Sequence, residues 1–578
     1  MIKGVAVSYG DIAIGAKESF TPTANNQAEF SKIEQLKIHN LSFPSYGNPT
    51  EGYSVSLDGN TEIFPQNTQN ASIGYWTSEL SGENGEINAI ITLESDGLYS
   101  SQGFTFTFDE PNGIYCTDLS ISWYGVLDNE ELLSTEEFQP NSAVYFCKNH
   151  VENFNKVVIE FHRINMPNVR MRLKALDYGY GTVFYGNELR SATQIQKIDP
   201  ISTQIPINPF SFVLDSKRPD MEFQFQTKQP VIVTHNGRLV STNFVKNAKR
   251  TSKKMWEVTT EDYIGTMEKT QFKGGVYSNK NAVELMSEIF SSANVPYNID
   301  ELFADLTVSG YIPFTNCREA LMQVAFAVQA VADTSGSDKV RMRKLGNNIT
   351  QTIPKKRIMQ GQRFEETEAV TGVSITVHSY KPIAEETEIY KAEDSGTGQG
   401  IFVKFTEPYH DLSILNGSLT EYGDNYALFD ANDGCILKGK RYEHKENVRT
   451  KVSEVILANS VENIKSISNA TLVSASNIEM LLDTCLEYMT IPQKTYLSIV
   501  EGMHVKGGDY IRYRDMIKYG DNMKYGDKLP YKVTYDDVVS VGDLITSETE
   551  YLGEVNGRVI EQKFALMAGN IIKEAVIR

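Results

Sequence analysis

Along most of the chain, apolar and polar residues alternate in short runs. One segment breaks that habit. Leu321, Val324, Ala325, Val328, Val331 and Ala332 recur at spacings of three and four, and Met322, Phe326, Ala327 and Ala330 fill most of the remaining circumference. Only Gln323 and Gln329 interrupt it. A helix apolar nearly all round has to be buried. Asn316, with Glu319 three residues on, reads as its N-cap and capping-box partner. The Thr, Ser and Gly residues of Asp333–Asp338 end it. Lys339, Arg341 and Arg343 then alternate with Val340 and Met342, which predicts a half-buried strand with a basic outer face. A preceding helix carries an apolar stripe of Ala282, Leu285, Met286, Ile289 and Phe290.

Elsewhere the period is two. Phe104, Phe106 and Phe108 share one face, as do Leu119, Ile121 and Trp123, and Val157, Ile159 and Phe161; Glu110-Pro111-Asn112-Gly113 marks a turn. Strand-length runs between turns predict an antiparallel sandwich over 66–178. Residues 1–65 hold short apolar runs broken by Pro, Asn and Gly, read as an anchor segment. Strands dominate 179–275, where His235-Asn236-Gly237-Arg238 has the composition of a tight hairpin. An α+β module follows over 276–350. Strands resume over 351–578, with a loose acidic stretch at Ala384–Gln399 and a helix over 477–489 introduced by a second capping box, Ser476 and Glu479. Turn signals sit at Gly508–Ile511, Gly542–Ile545 and Glu554–Arg558, and Lys-Tyr-Gly-Asp occurs twice, carrying Tyr519 and Tyr525. The fold class is therefore mainly β with a small α+β module.

The order of these signals carries a resemblance. NKNAVELMSEIFSSANV (279–295), then VSGYIP, then CREALMQVAFAVQAVADTSGSDKV resembles the hub proteins of tailed-phage baseplates, the tail-associated proteins of Firmicutes phages and of phage-derived particles. The likeness covers roughly residues 180–578, and YGDIAIGAKESF and NLSFPSYGNP resemble the opening of the same proteins. The resemblance implies two hub β-barrels, over 179–275 and 351–578, and an N-terminal sandwich like a carbohydrate-binding jelly roll. It implies a homotrimeric ring in the virion tail tip. That ring would contact the tail tube or distal tail protein on one side and a spike or receptor-binding protein on the other. A host cell-surface glycan is the further expected partner.

Composition narrows the alternatives. At 578 residues the chain holds several domains. A formal charge of −19 makes sequence-specific nucleic-acid binding a poor expectation, since phosphate affinity needs clustered cations. The start, MIKGVAVSYG, lacks an apolar leader core, and no apolar run is long enough to span a membrane. Five widely spaced cysteines form no CxxC pair and are expected as buried thiols. No GxSxG, HExxH or P-loop is present, and the eight histidines show no ligand spacing. Neither a cofactor nor a metal is expected, and RYEHKEN (441–447) reads as a solvated charged turn.

Two sets of residues remain as candidate sites. Sugars stack on exposed aromatic rings beside polar groups, which nominates Tyr75, Trp76, Tyr99 and Tyr124 with Asp96 and Asp118. Trp123 shares a face with Leu119 and Ile121 and is expected in the core. Lys339, Arg341, Arg343, Tyr519 and Tyr525 are candidate interface residues. A non-enzymatic structural protein is the leading reading. A cell-wall glycan hydrolase, with its paired carboxylates, and a stand-alone carbohydrate-binding adhesin are the alternatives.

Overall fold

A computed structural model of the chain describes residues 5–12, 15–37, 45–47, 51, 61–63, 73–125, 131–215, 230–235, 238–454, 461–501, 504–510, 530–534, 538–549, 553–566 and 571–578. The chain is mainly β, as its alternation predicts. It divides into two compact units. The first comprises 1–190, 214–239 and 247–258; the second comprises 191–213, 240–246 and 259–578. All five cysteines are buried free thiols. Among the described residues no helix is long and apolar enough to cross a membrane.

In the first unit, β1 (Val5–Ile12) pairs antiparallel with β9 (Gly179–Tyr185) and with the strand Pro230–His235. The sandwich is built from β2 (Thr21–Ala24), β3 (Tyr75–Trp76), β4 (Glu86–Phe108), β5 (Cys116–Gly125), β6 (Glu131–Phe138), β7 (Val144–Ile164) and β8 (Arg172–Asp177). They run in the order β3-β8-β4-β7-β5-β6, with β2 paired to the first half of β4. The expected anchor segment is thus partly a strand of the sandwich itself.

Two very long strands make this sheet fold over on itself. The start of β4 pairs with the end of β7 (Leu93 with Val157), and the end of β4 with the start of β7 (Phe106 with Tyr145). Between them the register slips repeatedly from Glu94 to Gly103. Gly103 has φ 134°, and a Cβ there would lie 2.0 Å from the Cys147 carbonyl oxygen, so this bend requires glycine. Both halves then face one core. Ile91 and Leu93 come from one side of the bend, and Phe104, Phe106 and Phe108 from the other; Trp123, Val157, Ile159 and Phe161 join them. The predicted turn after β4 is a short 3-10 helix, Glu110–Asn112, closed by Gly113 at φ 66°.

The second unit contains the α+β module. α1 (Ala282–Ala293) is capped by Asn281, whose Oδ1 accepts from the amides of Val283 and Glu284 at 2.9 and 3.1 Å, and its predicted stripe is buried. α2 (Cys317–Val328) is capped by Asn316 Oδ1, which accepts from the Glu319 amide at 2.9 Å. Only half of the capping box forms, because the Glu319 carboxylate accepts from the Thr315 hydroxyl instead.

The helix also ends earlier than its periodicity predicts. Gln329 turns left-handed at φ 55°, its amide reaches Phe326 O, and the Ala330 amide reaches Ala325 O. That pair of bonds is the C-terminal lock usually made with glycine. Val331 and Ala332, expected in the helix, instead lie in β11 (Val331–Asp333), antiparallel to β12 (Val340–Arg343). Their apolar character suits either element, so periodicity alone could not separate them.

Beyond the module, β13 (Gly372–Lys391), β14 (Gly398–Lys404), β15 (Tyr409–Gly423), β16 (Tyr426–Val452) and β17 (Ile464–Ile467) form one sheet. Strand β16 is its spine, paired with β13, β14 and β15. The loose acidic stretch expected from Ala384 is strand as far as Lys391, because β16 supplies hydrogen-bond partners to that point. RYEHKEN likewise lies within β16 and not in a turn.

Helix α3 (Ile478–Met489) starts without the expected box. Asn477 is its N-cap, and the Asn477 side chain is occupied by the Ser474 amide, Ala327 O and Leu472 O. Outside the β13–β17 sheet, β10 (Leu189–Lys197) is joined to β18 (Gln493–Glu501), β19 (Gly553–Ala565) and β20 (Ile571–Ile577), in the order β10-β19-β20-β18.

The two expected barrels therefore do not map onto continuous segments. A strand from 179–275 pairs with one from within 553–565, and 351–578 contributes to three sheets among the described residues. Of the predicted turns, Gly542 makes one at φ 86°, whereas Gly508–Tyr510 and Glu554–Arg558 fall in strands. The hairpin turn at Asn236-Gly237 lies outside the described residues.

Candidate functional site

The sandwich candidates separate by burial. Tyr75 and Trp76 are buried, so neither ring offers a face to a sugar. The Tyr75 hydroxyl donates to Asn25 O at 3.2 Å and Trp76 Nε1 to Ile73 O at 2.9 Å. The Arg172 guanidinium lies 4.0 Å over the Trp76 ring, a cation–π contact removed from water.

The ring roofs a buried ion network. Arg172 Nη1 donates to Asp109 Oδ2 at 2.6 Å and to Tyr46 O at 2.8 Å, Arg172 Nη2 pairs with Glu51, and Lys174 Nζ lies 3.1 Å from Asp109 Oδ1. Burial pushes the Glu51 carboxyl up, more than the neighbouring Arg172 pulls it down. Burial raises Asp109 too, but Lys174 and Arg172 together hold it below the usual carboxylate range. Burial also lowers the Lys174 ammonium. These residues are internal structure.

The remaining four do not converge. Tyr99 is half-buried, its hydroxyl 2.5 Å from Ser19 Oγ and its ring 5.4 Å from Phe20. Asp96 is exposed on the bend of β4. Tyr124 and Asp118 lie six residues apart on β5, which at 3.3 Å per residue separates them by about 20 Å. Tyr124 stands in an outer row with Lys156 and Glu94, which pair at 3.1 Å. Tyr124 is the one nominated ring with a partly open face on this outer sheet surface. Trp123 is in the core, as its alternation predicts.

The interface candidates are also rearranged. Arg341 and Arg343 both turn to the buried carboxylate of Asp333, each at 2.9 Å. Arg341 Nη2 also donates to Ser335 O at 2.6 Å, and Arg343 Nη2 to Val541 O at 2.7 Å. The Asp-Thr-Ser segment thereby ties the module together, and two of the three cations are engaged within the chain. Lys339 is exposed. Tyr519 and Tyr525 lie outside the described residues.

Two further places have functional geometry. A cavity of about 420 Å³ lies at the N-terminus of α2, lined by Glu268, Asn316, Arg318, Glu319 and Gln323 among others. Its central polar side chains already have partners. Arg318 donates to Glu268 and Ile205 O, and Gln323 bonds Asn469 O and the Thr471 amide. The second place is on the β13–β16 pair, where His378, His444 and Glu446 bring three potential metal-ligating atoms together. Sequence reasoning missed this group because its members are 66 residues apart, and only strand register joins them.

No known family model and no curated protein matches the chain. Among solved structures it is similar to a tail protein from Neisseria meningitidis MC58, at 10% identity and TM-score 0.39 over 68% of this chain and 92% of that one. It is also similar to the 43 kDa tail protein of prophage MuSo2 from Shewanella oneidensis, at 8% identity and TM-score 0.38 over 69% of this chain and 95% of that one. A third is prophage tail protein gp18 from Listeria monocytogenes EGD-e, at 10% identity and TM-score 0.35 over 68% and 91%.

Proposed function

We propose that this chain is a structural hub protein of a phage or phage-like tail tip. The observation that carries the reading is the segment 279–343. Its succession of signals resembles that of baseplate hub proteins, and it folds as one helix–helix–sheet core. In that core α1 and α2 share a buried cluster, and Asp333 is held by Arg341, Arg343 and its own bond to the Ser335 amide. A buried anion with matched donors serves to fix one geometry, which is what a joint between other proteins requires.

By the same resemblance, three copies form a ring joining the six-fold tail tube to a distal spike or receptor-binding protein. Duplicated β-barrels would let a trimer satisfy a six-fold neighbour without leaving half of its contacts unmade. The sandwich would face the cell envelope, with Tyr124 and its Glu94–Lys156 row as the patch that meets a surface glycan.

The test is to purify particles from a host producing this protein with an N-terminal tag and image them with a gold label. Label at the distal tip is expected. A protein absent from the particles, or spread along the tube, overturns the reading. A clear lysis band from the purified chain in a cell-wall zymogram would favour the hydrolase alternative. Light scattering that stays at the single-chain mass of 64.9 kDa, alone and with its tail partners, would remove the trimer.

A further inference from the structure

We propose that His378, His444 and Glu446 form a binding site for a divalent transition-metal ion of the zinc class. The site arises from strand register. On the antiparallel pair β13–β16, His378 stands opposite Glu446 and Tyr380 opposite His444. Residues two apart on one strand share a face, so both histidines and the glutamate project to the same side of the sheet.

Their ligating atoms are already close. His378 Nδ1 lies 3.0 Å from His444 Nε2, and Glu446 Oε1 lies 3.7 Å from each nitrogen. Tetrahedral zinc holds nitrogen and oxygen ligands at about 2.0–2.2 Å, which sets its ligand atoms roughly 3.3 Å apart. The three observed separations bracket that value, so shifts of a few tenths of an ångström complete the geometry.

The surroundings suit a metal. The His378 side chain is 4% exposed, against 37% for His444 and 59% for Glu446. One ligand therefore forms a floor and two form a rim, leaving a fourth position on the solvent side for water. The His444 ring is clamped by Tyr380, stacked at 4.4 Å and 3°, and Tyr380 rests on Tyr311 at 5.4 Å. Such outer support fixes the orientation of a ligating imidazole. Two imidazoles with one carboxylate suit zinc, copper or nickel better than magnesium or calcium. The ion would clip β13 to β16 across residues far apart in the chain.

The experiment uses the full chain, treated with chelator and dialysed, then titrated with Zn²⁺ alone by calorimetry and with Co²⁺ by visible absorption. One equivalent per chain is expected, with the intense absorption of low-symmetry cobalt. His444→Ala and Glu446→Gln should each weaken uptake by at least about tenfold, while His410→Ala leaves it unchanged. Added Zn²⁺ should raise the melting temperature of the wild type and not of His444→Ala. Both site variants change rim side chains and should keep the metal-free melting temperature; if one does not fold, the other decides. An ordinary hydrogen-bonded histidine pair is the opposing outcome. It is established if the wild type takes up no metal, or if uptake is the same in wild type and in both variants.

Discussion

Replacing Arg172 by Met should unfold the sandwich at a much lower denaturant concentration. Arg172 and Asp109 are each 1% exposed in their side chains, and that of Glu51 is fully buried. The substitution keeps the volume but strands two carboxylates. Asp109 retains Lys174 Nζ at 3.1 Å, whereas among the described residues Glu51 keeps only Arg170 Nε at 4.0 Å. The loss thus falls mainly on Glu51. Breaking one partner out of a buried pair costs about 3–5 kcal/mol. The apolar methionine recovers part of this, which sets the expected net near 3 kcal/mol. With a urea slope of about 1–3 kcal/mol per molar, the midpoint falls by about 1–3 M. Of the three tryptophans, Trp76 lies against the guanidinium and Trp123 in the main core of the sandwich, so fluorescence in a Trp256→Phe background reports this body. Adding Glu51→Gln should recover more than about 1 kcal/mol, since the two sites are coupled. A midpoint within about 0.3 M of the parent's, outside the range just given, would refute the view that this network is obligatory once built.

Three other outcomes follow. Burial raises the Asp262 carboxyl from 3.8 to about 6, against the pull of its bonds from Thr334 Oγ1 (2.6 Å) and the Gly265 amide (3.1 Å). The folded state holds that proton more tightly, so its stabilisation is full below pH 3.8 and is lost as pH rises through about 6. Asp262→Asn should flatten the fall by up to about 3 kcal/mol in urea midpoints compared at pH 4 and 7. Gly310→Ala should destabilise by at least about 1–3 kcal/mol in thermal melts, because Gly310 has φ 145° and the new Cβ would lie 2.3 Å from Thr471 O. Tyr124→Ala should weaken adsorption to host cells several-fold while leaving the melting temperature intact; unchanged adsorption removes the glycan patch.

What could be read beforehand depended on the range of the determining contacts. The stripe of α1, the asparagine cap of α2, the Phe104–Phe108 face and the core position of Trp123 are set within a few residues, and periodicity finds them. The end of α2 was not legible, because Gln329 takes a conformation for which glycine is the usual signal. Arg341 and Arg343 look like a solvated basic face until Asp333 is seen turned toward them. Trp76 looks available until Arg172 is seen over its ring, and Tyr75 until the sandwich core closes around it. The histidine pair depends wholly on which strand lies beside which, and no local spacing encodes that.

The pairing of residues 193–197 with 561–565 has a consequence for synthesis. At about 5–20 residues per second, the early strand waits on the order of 20–70 s on the ribosome for its neighbour to emerge. The sandwich, whose core strands lie within 86–177, can condense during that interval. The second body cannot close until residues 561–565 have emerged, and its waiting edge offers backbone donors and acceptors to any passing strand. A nascent chain halted before β19 and β20 should therefore carry one finished body and one that depends on chaperones.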